Sequence, residues 1–147
     1  MTNTIKDIIK SQDQQKYATN VGNIMHHKLE FVVIDSDARV GDLALIGEIE
    51  KHTELLPFFV RNAQTEVPIA GYLQGVFVSR RIDRMVIDDK NKIISVMDYK
   101  TDTDRLENRD KYKKQLSEYK TLLQEVYPGY KIYGYILWLH DWCLEKI

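Results

Sequence analysis

A single cysteine, Cys143, in 147 residues excludes an internal disulfide framework and any four-cysteine zinc or iron–sulfur site. With no disulfide to form, a reducing cytoplasm is the expected compartment. No uninterrupted apolar run approaches the ~20 residues of a membrane span, so no membrane partner is expected. The start, Met1 to Asp13, is polar and mixed in charge, unlike a secretory signal. Internal repeats, low-complexity stretches and clear linkers are also missing. The length suits one core, so a single domain over residues 1–147 is expected. Nor does charge of one sign dominate. The 21 basic and 22 acidic side chains leave a net charge of −1, which argues against a constitutive nucleic-acid binder.

What remains is ordinary globular composition, 44% hydrophobic and 29% charged. The charge is unevenly spread. Residues 1–75 carry 7 basic and 10 acidic groups, whereas residues 76–120 carry 12 and 9. The middle is the basic segment, and it also holds the carboxylates of most interest.

Apolar residues at helical spacing predict a helix over Tyr17 to Val33, interrupted by Asp35-Ser36-Asp37. A second helix is expected from Ala38 to His52 and a short third from Leu55 to Asn62, with Pro57 near its first turn. Strands are expected over Thr65–Ala70, Tyr72–Ile87 and Lys92–Lys100, the last two joined by the turn residues Asp88-Asp89-Lys90-Asn91. Asp104 and Glu107 fit a capping box that opens a long helix to about Tyr127. Pro128-Gly129 stops it, and Lys131–Leu139 reads as a final strand. The order predicts an α/β fold, a mixed sheet with helices on its faces.

If Lys90 and Asn91 form the loop, partners across the hairpin sum to 181, and Asp83 falls opposite Asp98. Side chains alternate along a strand, so Asp83, Asp98 and Lys100 share one face. Facing aspartates repel, and aspartate is a poor strand residue. A hard divalent cation relieves that conflict. A pair of exposed edge aspartates balanced by a lysine is the plainer reading of the same spacing. A register change of one residue abolishes the pairing.

Gly75-Val76-Phe77-Val78-Ser79-Arg80-Arg81-Ile82-Asp83-Arg84, then Val96-Met97-Asp98-Tyr99-Lys100-Thr101, then Gln115-Leu116-Ser117-Glu118-Tyr119, resembles the PD-(D/E)XK nuclease superfamily. The pattern is most similar to the nuclease domain at the C-terminal end of bacterial RecB- and AddA-type helicase–nucleases. An Ile-Asp-Arg strand, an Asp-Tyr-Lys strand and a Gln-x-x-x-Tyr helix follow in that order. The Gly-x-x-x-His element is matched by Gly22 to His26, and a glutamate opening the first strand by Glu66. The likeness covers roughly residue 20 to the C-terminus.

The resemblance implies a restriction-endonuclease-like fold and metal-dependent hydrolysis of DNA phosphodiesters, exonucleolytic, in recombinational repair. It places Asp83, Asp98 and His26 as metal ligands for Mg²⁺ or Mn²⁺, with Tyr99 counted in the metal set. Lys100 is the catalytic lysine, supported by Gln115 and Tyr119. Glu66, Arg80, Arg84, Lys111 and Lys114 are substrate-side candidates, Arg81 and Lys113 lying beside them. Helical projection favours His26, on the border of the apolar face, over His27 on the polar face. From the residues alone, His26 is a core-edge histidine, and Tyr119 equally fits the apolar stripe.

The family tethers this domain to a helicase motor, but no Walker A motif occurs here. The chain is then either a domain of a larger helicase–nuclease or a small stand-alone relative, such as a phage- or plasmid-type exonuclease. A non-catalytic DNA-binding or assembly module on the same scaffold is the remaining alternative. Relatives carrying a four-cysteine cluster are excluded by the lone Cys143.

Overall fold

A computed structural model describes residues 22–147. Tyr17 and Val21 of the first predicted helix, and the polar lead from Met1, lie outside the described residues. Helix α1 covers residues 22–30. A small two-stranded sheet follows, β1 (Val33–Ile34) against β2 (Arg39–Val40). Then come α2 (Leu43–Lys51) and a 3₁₀ helix, Thr53–Phe58. The main sheet is built from β3 (Gln64–Leu73), β4 (Val76–Asp88), β5 (Ile93–Lys100), β6 (Lys131–Trp138) and β7 (Cys143–Lys146). Helix α3 (Arg105–Val126) links β5 to β6.

The five strands lie side by side in chain order. Strands β3, β4 and β5 are antiparallel neighbours, β5 and β6 are parallel, and β7 returns antiparallel. The sheet is therefore mixed, as expected. The parallel step requires a crossover, which α3 supplies. Pleat alternation sorts β5 and β6 into two cores. Met97, Tyr99, Leu137 and Leu139 pack with α1, α2 and the 3₁₀ helix. Ile94, Val96, Ile136 and Trp138 pack against Tyr112, Leu116, Tyr119 and Leu123 of α3. No helix among the described residues is long and apolar enough to cross a membrane.

The hairpin register agrees with the sequence reading. Arg84 pairs with Met97 and Asp88 with Ile93. The turn spans residues 89–92, so it is longer than two residues but centred at the same point. Asp104 caps α3 by accepting the Glu107 N–H at 3.1 Å.

Several boundaries differ. α2 starts at Leu43 rather than Ala38, because Asp42 caps it through the N–H groups of Ala44 and Leu45 at 3.0 and 3.1 Å. Arg39–Val40 instead joins the small sheet, and the expected third helix is the 3₁₀ segment. The break between the first two strands falls at Gln74-Gly75, not before Tyr72. Both turn residues have positive φ, 50° and 78°, which suits a two-residue hairpin turn. Gly71 is instead a packing glycine within β3, since a Cβ there would lie 2.8 Å from Leu122 Cδ2 of α3. Strand β7 was not expected from the sequence.

Candidate active site

Glu66, Asp83 and Asp98 occupy matching positions on β3, β4 and β5. Both ladders fail at this row. The β3–β4 pairing runs through Thr65↔Arg84 and resumes at Val67↔Ile82, leaving out Glu66 and Asp83. The β4–β5 pairing stops at Arg84↔Met97, one step short of Asp83 and Asp98. The pleat of β4 also slips here. Val78 and Ile82 face α3, and so do Met85 and Ile87. Even positions point that way before Asp83 and odd positions after it. Glu66, at the matching position of β3, has φ of 50°. Irregularities of this kind re-aim side chains beside sites.

Asp83 is held from two directions. One carboxylate oxygen accepts the Tyr99 N–H at 2.8 Å and lies 3.3 Å from His26 Nε2. His26 Nδ1 lies 2.8 Å from the Gly22 carbonyl, one helical turn back. Nδ1–H donates to that carbonyl, which directs Nε2 at the site. The hydrogen bond to Asp83 is the main reason the His26 pKa rises to about 9, against the opposing effect of burial. Burial pushes the Asp83 carboxyl up. Hydrogen bonds from His26, Asp98 and the Tyr99 N–H outweigh it and hold the group below the ordinary range.

Asp98 is 3% exposed. Burial, and then the charge of Asp83, lift its pKa to about 7, with Lys100 opposing. Lys100 Nζ stands 2.7 Å from Asp98 Oδ2. The charges are close, but the angles are not those of a hydrogen bond, and among the described residues the buried Oδ2 has no hydrogen-bond partner. Lys100 donates instead to Gln115 Oε1 at 3.1 Å. Gln115 Nε2 donates to the Tyr119 hydroxyl at 2.8 Å, which donates to the Arg81 carbonyl at 3.1 Å. One chain of contacts thus runs from Asp98 through Lys100, Gln115 and Tyr119 to β4.

His26, Asp83, Asp98, Lys100, Gln115 and Tyr119 are therefore neighbours, drawn from α1, β4, β5 and α3. Glu66, Arg80 and Arg81 line an open groove with His26, His27 and Asp83. Glu66 pairs with Arg81 at 3.2 Å, and Arg80 with Glu118 at 3.2 Å. Lys111 and Lys114 lie on the other flank, in a groove shared with Lys100 and Arg80. His27 points to the surface and pairs loosely with Glu30 at 3.8 Å.

Two residues take different parts from those expected. Arg84 is 1% exposed and cannot meet a substrate. Its guanidinium donates to the Tyr99 hydroxyl at 2.7 Å, the Phe58 carbonyl at 3.1 Å and the Leu29 carbonyl at 2.6 Å. It also stacks over Phe59, 4.2 Å from the ring centroid. Arg84 therefore ties down the C-terminal end of α1, the helix that carries His26. The Tyr99 side chain points into the core opposite Asp98, so its phenol cannot join a metal set. Burial raises that phenol to about 12, and only the Tyr99 main chain reaches the site.

Tyr112 of α3 also belongs to the site. Lys100 Nζ sits 4.2 Å from its ring centroid, a cation–π contact on the remaining side of the lysine. Its hydroxyl is bonded to Asp102. The signal lay in its spacing, three residues before Gln115 on the same helix face.

Among the described residues, no three His, Cys, Asp or Glu side chains stand converged in metal-holding geometry. The donors nevertheless fit a hard cation. Burial and the charge of Asp83 strengthen the hold of Asp98 on its proton, and among the described residues one buried oxygen of Asp98 lacks a hydrogen bond. A cation there would take the place of that proton. No protein-family model matches the chain, and no curated protein matches it.

Proposed function

We propose that the chain is a metal-dependent deoxyribonuclease of the PD-(D/E)XK type, with a restriction-endonuclease-like fold. It hydrolyses DNA phosphodiesters, exonucleolytically, in recombinational repair in the cytoplasm, fed by a helicase motor in the same chain or complex. The observation that carries the reading is the buried Asp98 oxygen, without a hydrogen bond among the described residues, beside Asp83 and 2.7 Å from Lys100. The Lys100 ammonium faces that oxygen without hydrogen-bonding it, so a lone pair remains for a cation.

Asp83 and Asp98 would hold Mg²⁺ or Mn²⁺, with His26 Nε2 beside them. Such an ion, when bound, polarises the scissile phosphate and acidifies a water molecule. The protein's own groups do the rest. Asp83 and Asp98 fix the negative end of the site. Lys100 Nζ, steadied by Gln115 and Tyr112, would stabilise the negative charge that builds on a phosphate oxygen as water attacks phosphorus. Tyr119 anchors Gln115 to the backbone of β4 and so sets the height of the lysine. His26 confines the open side of Asp83.

End-labelled linear DNA, single- and double-stranded, tests the reading with Mg²⁺, with Mn²⁺ and with chelator. Metal-dependent cleavage by wild type, lost in Asp98→Ala and in Lys100→Ala, is the expected result. Absence of both cleavage and metal binding refutes it. The second reading is a DNA-binding module without catalysis. The observation in its favour is that no three-donor set stands converged among the described residues.

A further inference from the structure

We propose that the outer face of the β3–β4 hairpin is a track for single-stranded DNA, with Tyr72 and Phe77 as a base-stacking platform. This rests on the nuclease reading and adds to it the form of the substrate and the side from which it approaches.

Among the described residues, the hairpin is covered on one face only. Val67, Ile69, Leu73, Val78 and Ile82 turn toward α3. The alternate positions, Pro68, Ala70 and Tyr72 on β3 and Phe77, Ser79 and Arg81 on β4, are all exposed. Tyr72 and Phe77 are direct cross-strand partners. They stand 66% and 60% exposed, edge to face with centroids 5.5 Å apart. Exposed rings of this kind offer flat π-faces on which unpaired bases stack whatever their sequence. A duplex cannot use them, since its bases are already stacked on each other.

The same face leads into the site. From Phe77 it passes Ser79 and Arg81 and ends at the groove that holds Asp83 and His26. Arg81 and Arg80 line that groove, paired with Glu66 and Glu118, and Lys111 and Lys114 stand beyond it. Phosphates of an incoming strand would compete with those carboxylates for the two guanidiniums. Phe77 and Asp83 are six positions apart on β4, about 20 Å of strand. That distance accommodates about six nucleotides of stacked strand at ~3.4 Å each.

A protein occupant fits less well. Two rings supply at most ~500 Å², well under the ~1,000 Å² of a stable interface. Strand addition at the edge of the sheet is obstructed as well. Pro68 has no N–H to donate, and Glu66 breaks the run of extended backbone with φ of 50°.

Fluorescence anisotropy in EDTA, with labelled oligothymidylates of 4 and 12 nucleotides, separates these occupants. The 12-mer should bind wild type about fivefold to tenfold more tightly than it binds Tyr72→Ala or Phe77→Ala. The 4-mer, too short to span site and platform, should bind all three alike. Tyr72→Phe and Phe77→Tyr should keep 12-mer binding, since either ring presents a π-face. A duplex 12-mer should be indifferent to all four substitutions. Circular dichroism and the thermal midpoint should not move, because both rings are outside the core.

The track is overturned if the 12-mer binds the double alanine variant as tightly as wild type, or if wild type binds neither oligonucleotide. An equal loss for the 4-mer and the 12-mer also overturns it. So does sedimentation showing a dimer that the double variant loses, which assigns the face to a second copy. Failure of the nuclease reading looks different. The 12-mer then binds through the aromatic pair, but no metal-dependent cleavage follows.

Discussion

The carboxylate of Asp83 accepts the main-chain N–H of Tyr99 at 2.8 Å, so a side chain bridges β4 and β5 where their backbone ladder stops. That substitution lets the strands part at the acidic row without leaving the Tyr99 amide unpaired. It also holds one carboxylate beside another that is almost wholly buried.

Asp98→Asn should separate chemistry from folding. The amide keeps the shape but removes a charge that burial and Asp83 both oppose. Cleavage should fall by about 10²–10³-fold or more. The thermal midpoint of the metal-free protein at pH 8 should hold or rise. A midpoint that drops by several degrees instead makes Asp98 an ordinary structural anion.

The metal-free protein should lose stability as pH rises. Asp98 has its pKa raised from 3.8 to about 7, so the folded state holds that proton more tightly than the unfolded chain. Its contribution is complete below 3.8 and is lost as pH climbs to about 7. His26 is raised from 6.5 to about 9, so its contribution is complete below 6.5 and fades through about 9. Asp83 runs the other way. Held below 3.8, it stabilises above that value and loses its contribution in acid. Thermal melts in EDTA should peak in mild acid and decline toward pH 9.5. A profile that rises across that range contradicts the arrangement.

Arg84→Ala should destabilise by about 3 kcal/mol or more. It leaves the Phe58 carbonyl and the Tyr99 hydroxyl without their Arg84 donor, and the Leu29 carbonyl with the Val32 N–H at 3.2 Å. Arg84→Lys should rescue little, because one ammonium cannot fill three diverging positions. Denaturant unfolding measures both. A loss under about 1 kcal/mol in Arg84→Ala indicates that water reaches those groups.

Tyr119→Phe removes one hydroxyl that receives from Gln115 and donates to Arg81. About 1 kcal/mol of stability should go with it. Because Gln115 in turn positions Lys100, cleavage should fall about tenfold, with kcat affected more than KM. An equal effect on both parameters points to substrate binding instead.

The sequence carried the parts of the fold governed by local chemistry. The turn centred on Lys90-Asn91 set the β4–β5 register, and extending that register one step past Arg84 and Met97 puts Asp83 at the level of Asp98. The cap at Asp104 and the stop at Pro128 bounded α3 closely. Other parts depend on packing that local patterns do not record. Gly71 reads as a strand breaker, yet its reason is Leu122 on α3, far along the chain. The pleat slip between Ile82 and Met85 preserves the register and leaves no trace in spacing. Arg84 lies in a basic run that reads as surface, and only the burial of Leu29 and Phe58 beside it shows otherwise. Restoring the two-sided alternation of β5 puts Tyr99 opposite Asp98, which the alternation rule already implied.

The slip in β4 divides the strand into a root and an arm. The root, from Asp83 onward, is clamped between β5 and both cores. Among the described residues, the arm, residues 68–81, is anchored only by α3. Length changes in even steps at its tip leave the root in place and alter only how far the arm reaches. A change of one residue turns the tip over, carrying its exposed rings to the covered side. Reach and chemistry in this molecule can therefore be varied independently, the first at the hairpin and the second at the acidic row.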